Sequence, residues 1–181
     1  EVYGMHNWPG KPAGSFAIRS GPFFAAADQW EVHLKGFGGH AAKPHVTVDP
    51  VVLSAQVVMA LQTIASRNAD PIDQVVVSVT SIESSSKAFN VIPQEVHIKG
   101  TARTMSRDMR ALVERRLTEI CTGIATAAGG SADVHFYKGY PVMANHEDAT
   151  EFAAQVATDV SGACETAPMV MGGEDFAFML E

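Results

Sequence analysis

The spacing of apolar residues in the middle of the sequence constrains the fold more than any other feature. In residues 28–35, Trp30, Val32 and Leu34 alternate with polar side chains, and this period of two is typical of a half-buried strand. Residues 50–67 instead repeat apolar side chains at three- and four-residue spacing, which predicts a helix with one buried face. A strand and a helix of this kind are stable only when their apolar faces cover each other.

The same two periods continue along the chain. Further strands are predicted over residues 74–82, 95–104 and 132–140. A second helix is predicted between Ser106, whose hydroxyl can cap it, and Gly129, which can end it. The order strand, helix, strand, strand, helix, strand is the split βαβ, or ferredoxin-like, arrangement. The predicted fold class is therefore α+β, a two-layer α/β structure in which an antiparallel sheet carries both helices on one face.

The segments on either side of this module have a different composition. Residues 1–23 are rich in glycine and proline, which indicates a loop. Residues 141–181 contain a connection, one predicted helix and one predicted short strand. The simplest interpretation is a domain at residues 24–140 that is inserted between two fragments of a parent domain.

The predicted helix of the last segment begins at Asn145, which can cap it. Its apolar residues Phe152, Val156 and Val160 are expected to face inward because they repeat at helical spacing. A short strand is predicted at residues 167–170, before a glycine turn.

The ends of the chain interrupt the pattern of a complete domain. The sequence begins on Glu1 without a methionine or a signal-like segment, and it ends on Glu181 directly after an apolar run. Natural domain boundaries more often lie in polar linkers. We therefore expect both ends to lie inside a longer protein.

Composition excludes several classes of partner. The formal net charge is −7 and no run of Lys and Arg could neutralise phosphates, so no nucleic-acid partner is expected. An acidic surface gives no attraction to anionic membranes, and no apolar run approaches the ~20 residues of a bilayer span. Cys121 and Cys164 share no metal-type or redox-type spacing, and we interpret them as free thiols of a cytoplasmic protein.

Two histidines lie in glycine-rich loops. His6 stands within Gly-Met-His-Asn-Trp-Pro-Gly at residues 4–10, a rigid loop from which an imidazole can be aimed at a metal ion. His40 follows three glycines within residues 36–45, where the backbone can approach a ligand and the imidazole can donate to an oxyanion. Each has a plainer interpretation, namely an exposed loop histidine or a bulged turn after a strand.

Three further polar residues are candidates for substrate contacts. Asn90 precedes a predicted strand, and Arg103 lies near the end of one, where its guanidinium can fork onto a carboxylate. Glu174 follows a double glycine within residues 172–176 and suits the rim of a metal site or a contact with a substrate amine. The alternatives are a turn-forming asparagine, a solvated arginine and a helix N-terminus decorated with acids.

Together these segments resemble the dinuclear-metal aminoacylase/carboxypeptidase (zinc peptidase) family. The likeness is greatest to its subfamily of hippurate hydrolases, N-acetyl-amino-acid deacetylases and auxin-conjugate hydrolases, and it covers essentially the whole chain. Its most specific part is Gly-Gly-His-Ala-Ala at residues 38–42 with Pro44 and His45 behind it. The resemblance implies that residues 24–140 are a ferredoxin-like βαββαβ lid and dimerisation domain. Residues 1–23 and 141–181 would then be fragments of an α/β metallopeptidase catalytic domain.

The resemblance also implies a role for each candidate residue. His6 corresponds to a metal ligand, and His40 to a catalytic histidine that crosses a homodimer and stabilises the tetrahedral intermediate in the partner's site. Asn90, Arg103 and Glu174 correspond to substrate-binding groups. The implied reaction is hydrolysis of N-acyl amino acids, hippurate-like or N-acetyl, or of short peptides. Two divalent ions (Zn, Mn, Ni or Co) would bind a water between them, and a glutamate would take its proton.

The chain also departs from the family's pattern. The Cys-Gly-His-Asp segment and the Glu-Glu pair that precede the region of His6 do not occur, and the chain stops before the final histidine ligand. His6 is then the one metal ligand expected here, and a single imidazole cannot make a zinc site. We therefore expect this chain to be inactive alone. The alternative hypothesis is a non-catalytic ferredoxin-like module that dimerises or binds a small ligand.

Overall fold

The computed structural model describes residues 2–181, so Glu1 of the predicted first fragment lies outside it. The elements, in chain order, are β1 (Phe16–Ile18), β2 (Gly21–Phe24), β3 (Ala26–Lys35), β4 (Gly39–His40), α1 (Pro50–Thr63), β5 (Val75–Ser84), β6 (Val91–Ile92), β7 (Glu95–Thr104), α2 (Arg107–Ala127), β8 (Ser131–Tyr140), β9 (Met143–Asn145), α3 (Glu147–Ser161) and β10 (Cys164–Thr166). Short 3₁₀ turns occur at Pro44–Val46 and Asp175–Met179. None of the helices in this part of the chain is long and apolar enough to cross a bilayer.

Four strands form one antiparallel sheet in the order β5-β7-β3-β8. β3 and β7 pair along their full length, from Ala26 opposite Thr104 to Lys35 opposite Glu95. Buried and exposed side chains alternate along both strands, as their period-two sequences predict. The mixed helix and sheet architecture is thus confirmed, and the elements follow in the predicted order. We call residues 26–140, which hold this sheet with α1 and α2, the four-stranded module.

Both helices of the module begin at the caps that the sequence indicates. Asp49 Oδ1 accepts a hydrogen bond from Val51 N–H at 2.8 Å at the start of α1. Ser106 Oγ accepts from Met109 N–H at 3.2 Å at the start of α2. A π turn, Ile64–Asn68, follows α1, so the helical segment reaches the region in which the sequence predicts its end.

The two helices cover one face of the sheet with a single apolar cluster. Trp30 lies at its centre against Gly100, where an added Cβ would stand 2.1 Å from the indole. The glycine therefore makes room for the largest side chain of the core. The other fully buried large side chains include Leu34, Leu61, Ile64, Ile98 and Leu117. The opposite face of the sheet stays open and carries the polar side chains of each strand.

The segments before and after the module pack on each other. β1 pairs in parallel with β10, and β2 pairs antiparallel with β9, with Gly21 opposite Asn145. Phe24, Met143 and Ala177 form a second, smaller buried cluster. The beginning and the end of the described chain are therefore neighbours in space.

Two local predictions in the last segment are wrong. Asn145 does not cap α3, because it lies in β9 and its side-chain amide donates to the Arg19 carbonyl at 2.9 Å. His146 stands at the N-cap instead. The strand predicted at residues 167–170 lies earlier, at Cys164–Thr166, where it pairs with β1.

The prediction that the apolar stripe of α3 faces inward is also wrong. Phe152, Val156 and Val160 are 62%, 45% and 74% exposed. α3 contacts β1 and β10 through its other side, and Thr150 is its one buried residue. Within residues 2–181, only the Phe152 ring has an aromatic neighbour, Tyr3, at 6.3 Å between centroids, so the periodicity of this helix marks a largely exposed face rather than a core.

A buried ion pair ties three elements of the module together. Asp28, at the start of β3, is fully buried. The Arg110 guanidinium on α2 donates to both of its carboxylate oxygens, with Nε 3.0 Å from Oδ2. Gly139 N–H on β8 donates to Oδ1 at 3.1 Å. The carboxylate thus joins β3, α2 and β8 at one end of the sheet.

Candidate functional site

The structure brings His6 and Glu174 together from opposite ends of the chain. His6 Nε2 lies within hydrogen-bond distance of Glu174 Oε2. The Glu174 side chain is 11% exposed, and the His6 side chain is 56% exposed. The contact therefore has a sheltered carboxylate and an imidazole that is still open to solvent.

The local fold fixes the Glu174 carboxylate. Glu174 is the N-cap of the last 3₁₀ turn, and its Oε1 accepts from Phe176 N–H at 3.0 Å. Burial raises the pKa of Glu174, but the hydrogen bonds from Phe176 and His6 outweigh it and hold the pKa below its ordinary value. The group is therefore an anion at neutral pH, with one oxygen directed to the backbone and the other to His6.

Aromatic rings surround the His6 loop. The Phe24 ring centroid lies 6.0 Å from that of His6 and 6.1 Å from that of Trp8. An added Cβ on Gly4 would stand 3.3 Å from the Phe176 ring, so the glycine lets this loop pass close to the segment that carries Glu174. The apolar packing holds the imidazole next to the carboxylate.

The donor set of this pair suits part of a metal site. Imidazole nitrogen and carboxylate oxygen are both donors that zinc and similar divalent ions accept. Among residues 2–181, however, no three His, Cys, Asp or Glu side chains are arranged to hold a metal ion. Within those residues the pair therefore offers two metal-type donors but no complete metal site.

His40 and Asn90 lie next to each other in a second cluster, separate from the His6–Glu174 pair. β4 pairs with β6, with His40 opposite Val91, and Ala41 N–H donates to the Asn90 carbonyl at 3.0 Å. An added Cβ on Gly38 would stand 2.4 Å from the Ile92 carbonyl oxygen, so this close approach requires glycine. The glycine-rich loop thus packs against the Asn90 segment.

The His40 ring is exposed, and its tautomer is fixed by the backbone. Ala42 N–H donates to His40 Nδ1 at 3.1 Å. A neutral imidazole that accepts at Nδ1 carries its proton on Nε2, so Nε2 is available as a donor. This is the form that stabilises an oxyanion.

The His6–Glu174 pair and the His40 loop with Asn90 lie at opposite ends of the sheet. An added Cβ on Gly173 would stand 2.6 Å from Ala27 Cβ, which locates the Glu174 segment at the start of β3. His40 follows Lys35, at the far end of that ten-residue strand. At about 3.3 Å per residue the strand spans about 30 Å. The structure therefore does not bring His40 and Asn90 to the His6–Glu174 pair within one chain.

Arg103 lies on the open face of the sheet, opposite Ala27 and therefore near the Gly173 segment. Its Nη1 donates to Thr101 Oγ1 and to the carbonyl of Ala102 at 3.0 Å. The guanidinium is thus partly engaged by its own strand. It lines an open concavity of about 790 Å³ that also includes Lys99.

The sequence reasoning missed Tyr137 in this concavity. Tyr137 OH donates to Glu31 Oε1 at 2.6 Å, across neighbouring strands. The hydrogen bond lowers the pKa of Glu31 and raises the pKa of Tyr137. The alternation of residues 132–140 could have placed Tyr137 on the open face, beside Gln29 and Glu31.

Known proteins resemble this chain in sequence and in structure. It is 41% identical over 183 residues to an N-acetyldiaminopimelate deacetylase of Streptococcus uberis, covering 99% of this chain and 48% of that protein. It is 33% identical over 181 residues to thermostable carboxypeptidase 2 of Saccharolobus solfataricus, covering 99% and 46%. The chain spans about half the length of the curated relatives that it matches.

The crystal structure of a dinuclear metal-binding peptidase of the M20 family from Bacillus subtilis matches the fold with a TM-score of 0.79 at 28% identity. The match covers 96% of this chain and 43% of that one. The model of the peptidase family M20/M25/M40 matches residues 1–181. The chain therefore belongs to peptidase family M20/M25/M40.

Proposed function

We propose that the protein containing this chain is a metal-dependent amidohydrolase that cleaves N-acyl amino acids or short peptides. The observation that carries the proposal is the contact of His6 with Glu174, which joins two distant segments into a pair of metal-type donors. Family membership and the deacetylase and carboxypeptidase relatives support the reaction class. Bound divalent ions would supply Lewis acidity for the attack of water on the amide carbonyl.

The proposed protein has a catalytic domain into which a lid domain is inserted. Residues 24–140 form the lid and dimerisation domain, and residues 1–23 and 141–181 belong to the catalytic domain. A separate buried cluster, in which Met143 and Ala177 pack with the boundary residue Phe24, supports this division, because it lies outside the core of the four-stranded module. In this proposal His6 would bind a metal ion, and Glu174, which contacts His6, would bind the substrate beside it.

His40 acts in the site of a partner subunit in this proposal. Its Nε2–H donates to the oxyanion that forms from the substrate carbonyl. The length of β3, about 30 Å, lies between the His40 loop and the segment that carries Glu174, and this supports a contribution across a homodimer rather than within one chain. Asn90, which adjoins the His40 loop, and Arg103, on the open sheet face, bind polar groups of the substrate.

The lid supplies the surface on which two copies associate. β5 is an edge strand of the sheet, with no partner beyond it among residues 2–181. Pairing of two such edges would make one continuous sheet. A cytoplasmic location is part of the proposal, and the free thiols Cys121 and Cys164 are compatible with it.

A substrate panel on the full-length protein tests the reaction. Hippurate, N-acetyl amino acids and short peptides are offered with and without a chelator. We expect turnover of at least one class and its loss on chelation, restored by added divalent metal. Turnover that is unaffected by complete metal removal would refute the proposal.

Complementation between inactive variants tests the role of His40. His40→Ala and His6→Ala enzymes are mixed under conditions that exchange subunits. Half of the dimers are then mixed and each has one intact site, so activity should recover to roughly a quarter of wild type. His6→Ala mixed with Glu174→Gln is the matched control, because both changes damage the same site and cannot complement. Equal activity in the two mixtures would show that His40 does not act across the dimer.

A further inference from the structure

Two aromatic rings lie beside the loop that carries Glu174. Tyr140 ends β8, and Phe178 lies in the 3₁₀ turn that Glu174 caps. The two rings meet edge to face with their centroids 5.8 Å apart, and we call them the aromatic pair. An added Cβ on Gly173 would stand 3.0 Å from the Tyr140 ring, so this ring lies against the residue just before Glu174.

The aromatic pair is open on the side that faces solvent. Tyr140 is 41% exposed and Phe178 is 56% exposed. The hydroxyl of Tyr137, on the same strand as Tyr140, is bound to Glu31, whereas Tyr140 contributes a ring contact to Phe178. Exposed aromatic rings that already pack on each other offer an apolar surface at little cost in conformational order.

A row of residues across the open sheet face connects the aromatic pair with Arg103. Ala27 on β3 stands opposite Arg103 on one side and opposite Tyr140 on the other. Neighbouring strands are about 4.8 Å apart, so the backbones of Arg103 and Tyr140 are about 10 Å apart. Ala27 carries only a methyl group, and Gly173 packs directly on it. No large side chain of these two residues therefore separates the guanidinium from the ring.

Arg103 has donors left for a ligand in this row. Its hydrogen bonds to Asp28, Thr101 and Ala102 all start at Nη1. Nη2 and Nε thus remain able to fork onto a carboxylate. Arg103 and Tyr140 both line the open concavity of about 790 Å³ described above, so a ligand there meets a cation and an aromatic ring together.

We propose that the aromatic pair is a subsite for the side chain of an aromatic amino acid, so that the protein prefers N-acyl derivatives of such amino acids. In these compounds the carboxylate and the ring branch from one α-carbon, and the two can reach Arg103 and Tyr140 at the same time. The inference rests on the proposed function, since it names the amino-acid part of that substrate. It also places this subsite in the same chain as Glu174, unlike the contribution of His40.

A comparison of substrates on the full-length protein tests the subsite. The kcat/KM is measured for N-acetylphenylalanine, for N-acetylalanine and for hippurate, which carries its ring on the acyl side. We expect N-acetylphenylalanine to exceed N-acetylalanine by about tenfold or more, because a phenyl group is much larger than the few methylenes that already give that ratio. Tyr140→Ala and Phe178→Ala should each lower this preference roughly tenfold, and Tyr140→Phe should keep it because the ring remains.

Phe152→Ala is the matched control, since Phe152 is an exposed aromatic residue on α3 that does not line the concavity. It should keep the preference of the wild type, and circular dichroism checks that each variant is folded. A preference that is unchanged in both Tyr140→Ala and Phe178→Ala overturns the proposal. A loss that is as large for hippurate as for N-acetylphenylalanine overturns the assignment to the amino-acid side chain.

Binding separates this inference from the proposed reaction. If the full-length protein hydrolyses none of the three compounds, the proposed function fails, and calorimetric titration with N-acetylphenylalanine still tests the subsite. Affinity that is about tenfold weaker in Tyr140→Ala than in the wild type supports the subsite. Equal affinity in the two proteins, or no binding to the wild type, overturns it.

Discussion

Replacement of Arg110 by methionine should destabilise the four-stranded module severely. Asp28 is fully buried, and the Arg110 side chain beside it is 15% exposed. After Arg110→Met, the Asp28 carboxylate still accepts a hydrogen bond from Gly139 N–H. It loses the positive charge of the guanidinium and the hydrogen bonds that the guanidinium donates to both carboxylate oxygens. Removing one partner of a buried ion pair costs about 3–5 kcal/mol, because it leaves an uncompensated charge. We expect the free energy of unfolding to fall by about that amount.

Urea denaturation followed by circular dichroism measures the change. Arg115→Met is the matched control on the same helix, since its guanidinium is 64% exposed and its pair with Glu119 is worth less than about 1 kcal/mol. Asp28→Asn on the Arg110→Met background should recover part of the loss, because a neutral amide needs no cation. A loss from Arg110→Met no larger than that of the control would refute the assignment of this pair as a buried anchor.

Three further predictions concern other positions. Hydrogen bonds lower the pKa of Glu174 in the folded protein. Its contribution to stability is therefore present above the pKa of the unfolded carboxyl group and is lost as the pH falls through the folded pKa. Glu174→Gln should accordingly flatten the acid side of a plot of the thermal unfolding midpoint against pH. Gly100→Ala should cost about 1–3 kcal/mol because its methyl group would overlap the buried indole, whereas Gly123→Ala, with nothing within 4 Å, should stabilise α2 by about 0.5–1 kcal/mol in the same urea assay. Burial raises the pKa of Cys121 to about 12, so a maleimide should label Cys164 first in the native protein, and equal labelling rates would contradict the buried environment.

The module was predictable because its signals are local. Trp30, Val32 and Leu34 mark the buried face of β3 through nearest-neighbour alternation, and Asp49 and Ser106 mark the helix starts within three residues. These patterns depend on the periods of strand and helix, which hold in any tertiary context. The glycine-rich segment before His40 was expected to be a loop, and the structure places Gly39 and His40 in the short strand β4, which pairs with β6.

The contacts between distant segments were not predictable from such patterns. Nothing in residues 4–10 indicates that His6 meets Glu174, because that contact depends on the pairing of β1 with β10 and of β2 with β9. The ion pair of Asp28 with Arg110 likewise joins a strand start to a helix. The resemblance to a family supplied roles for the site residues, while the structure supplied their partners.

The stripe of α3 shows how a correct pattern can be assigned to the wrong partner. Phe152, Val156 and Val160 repeat at helical spacing and form one apolar face, as the sequence indicates. Amphipathicity reports that a face is apolar and does not report what covers it. In residues 2–181 the elements that contact α3 lie on its other side.

The pairing of β2 with β9 has a mechanical consequence. The chain enters the four-stranded module just after β2 and leaves it just before β9, and these two strands are hydrogen-bonded to each other. A two-stranded ribbon bends readily across its flat face but resists shear between its strands, because shear breaks the ladder of hydrogen bonds. We therefore expect any motion of the module relative to the chain ends to bend this two-stranded ribbon rather than to slide one of its strands along the other.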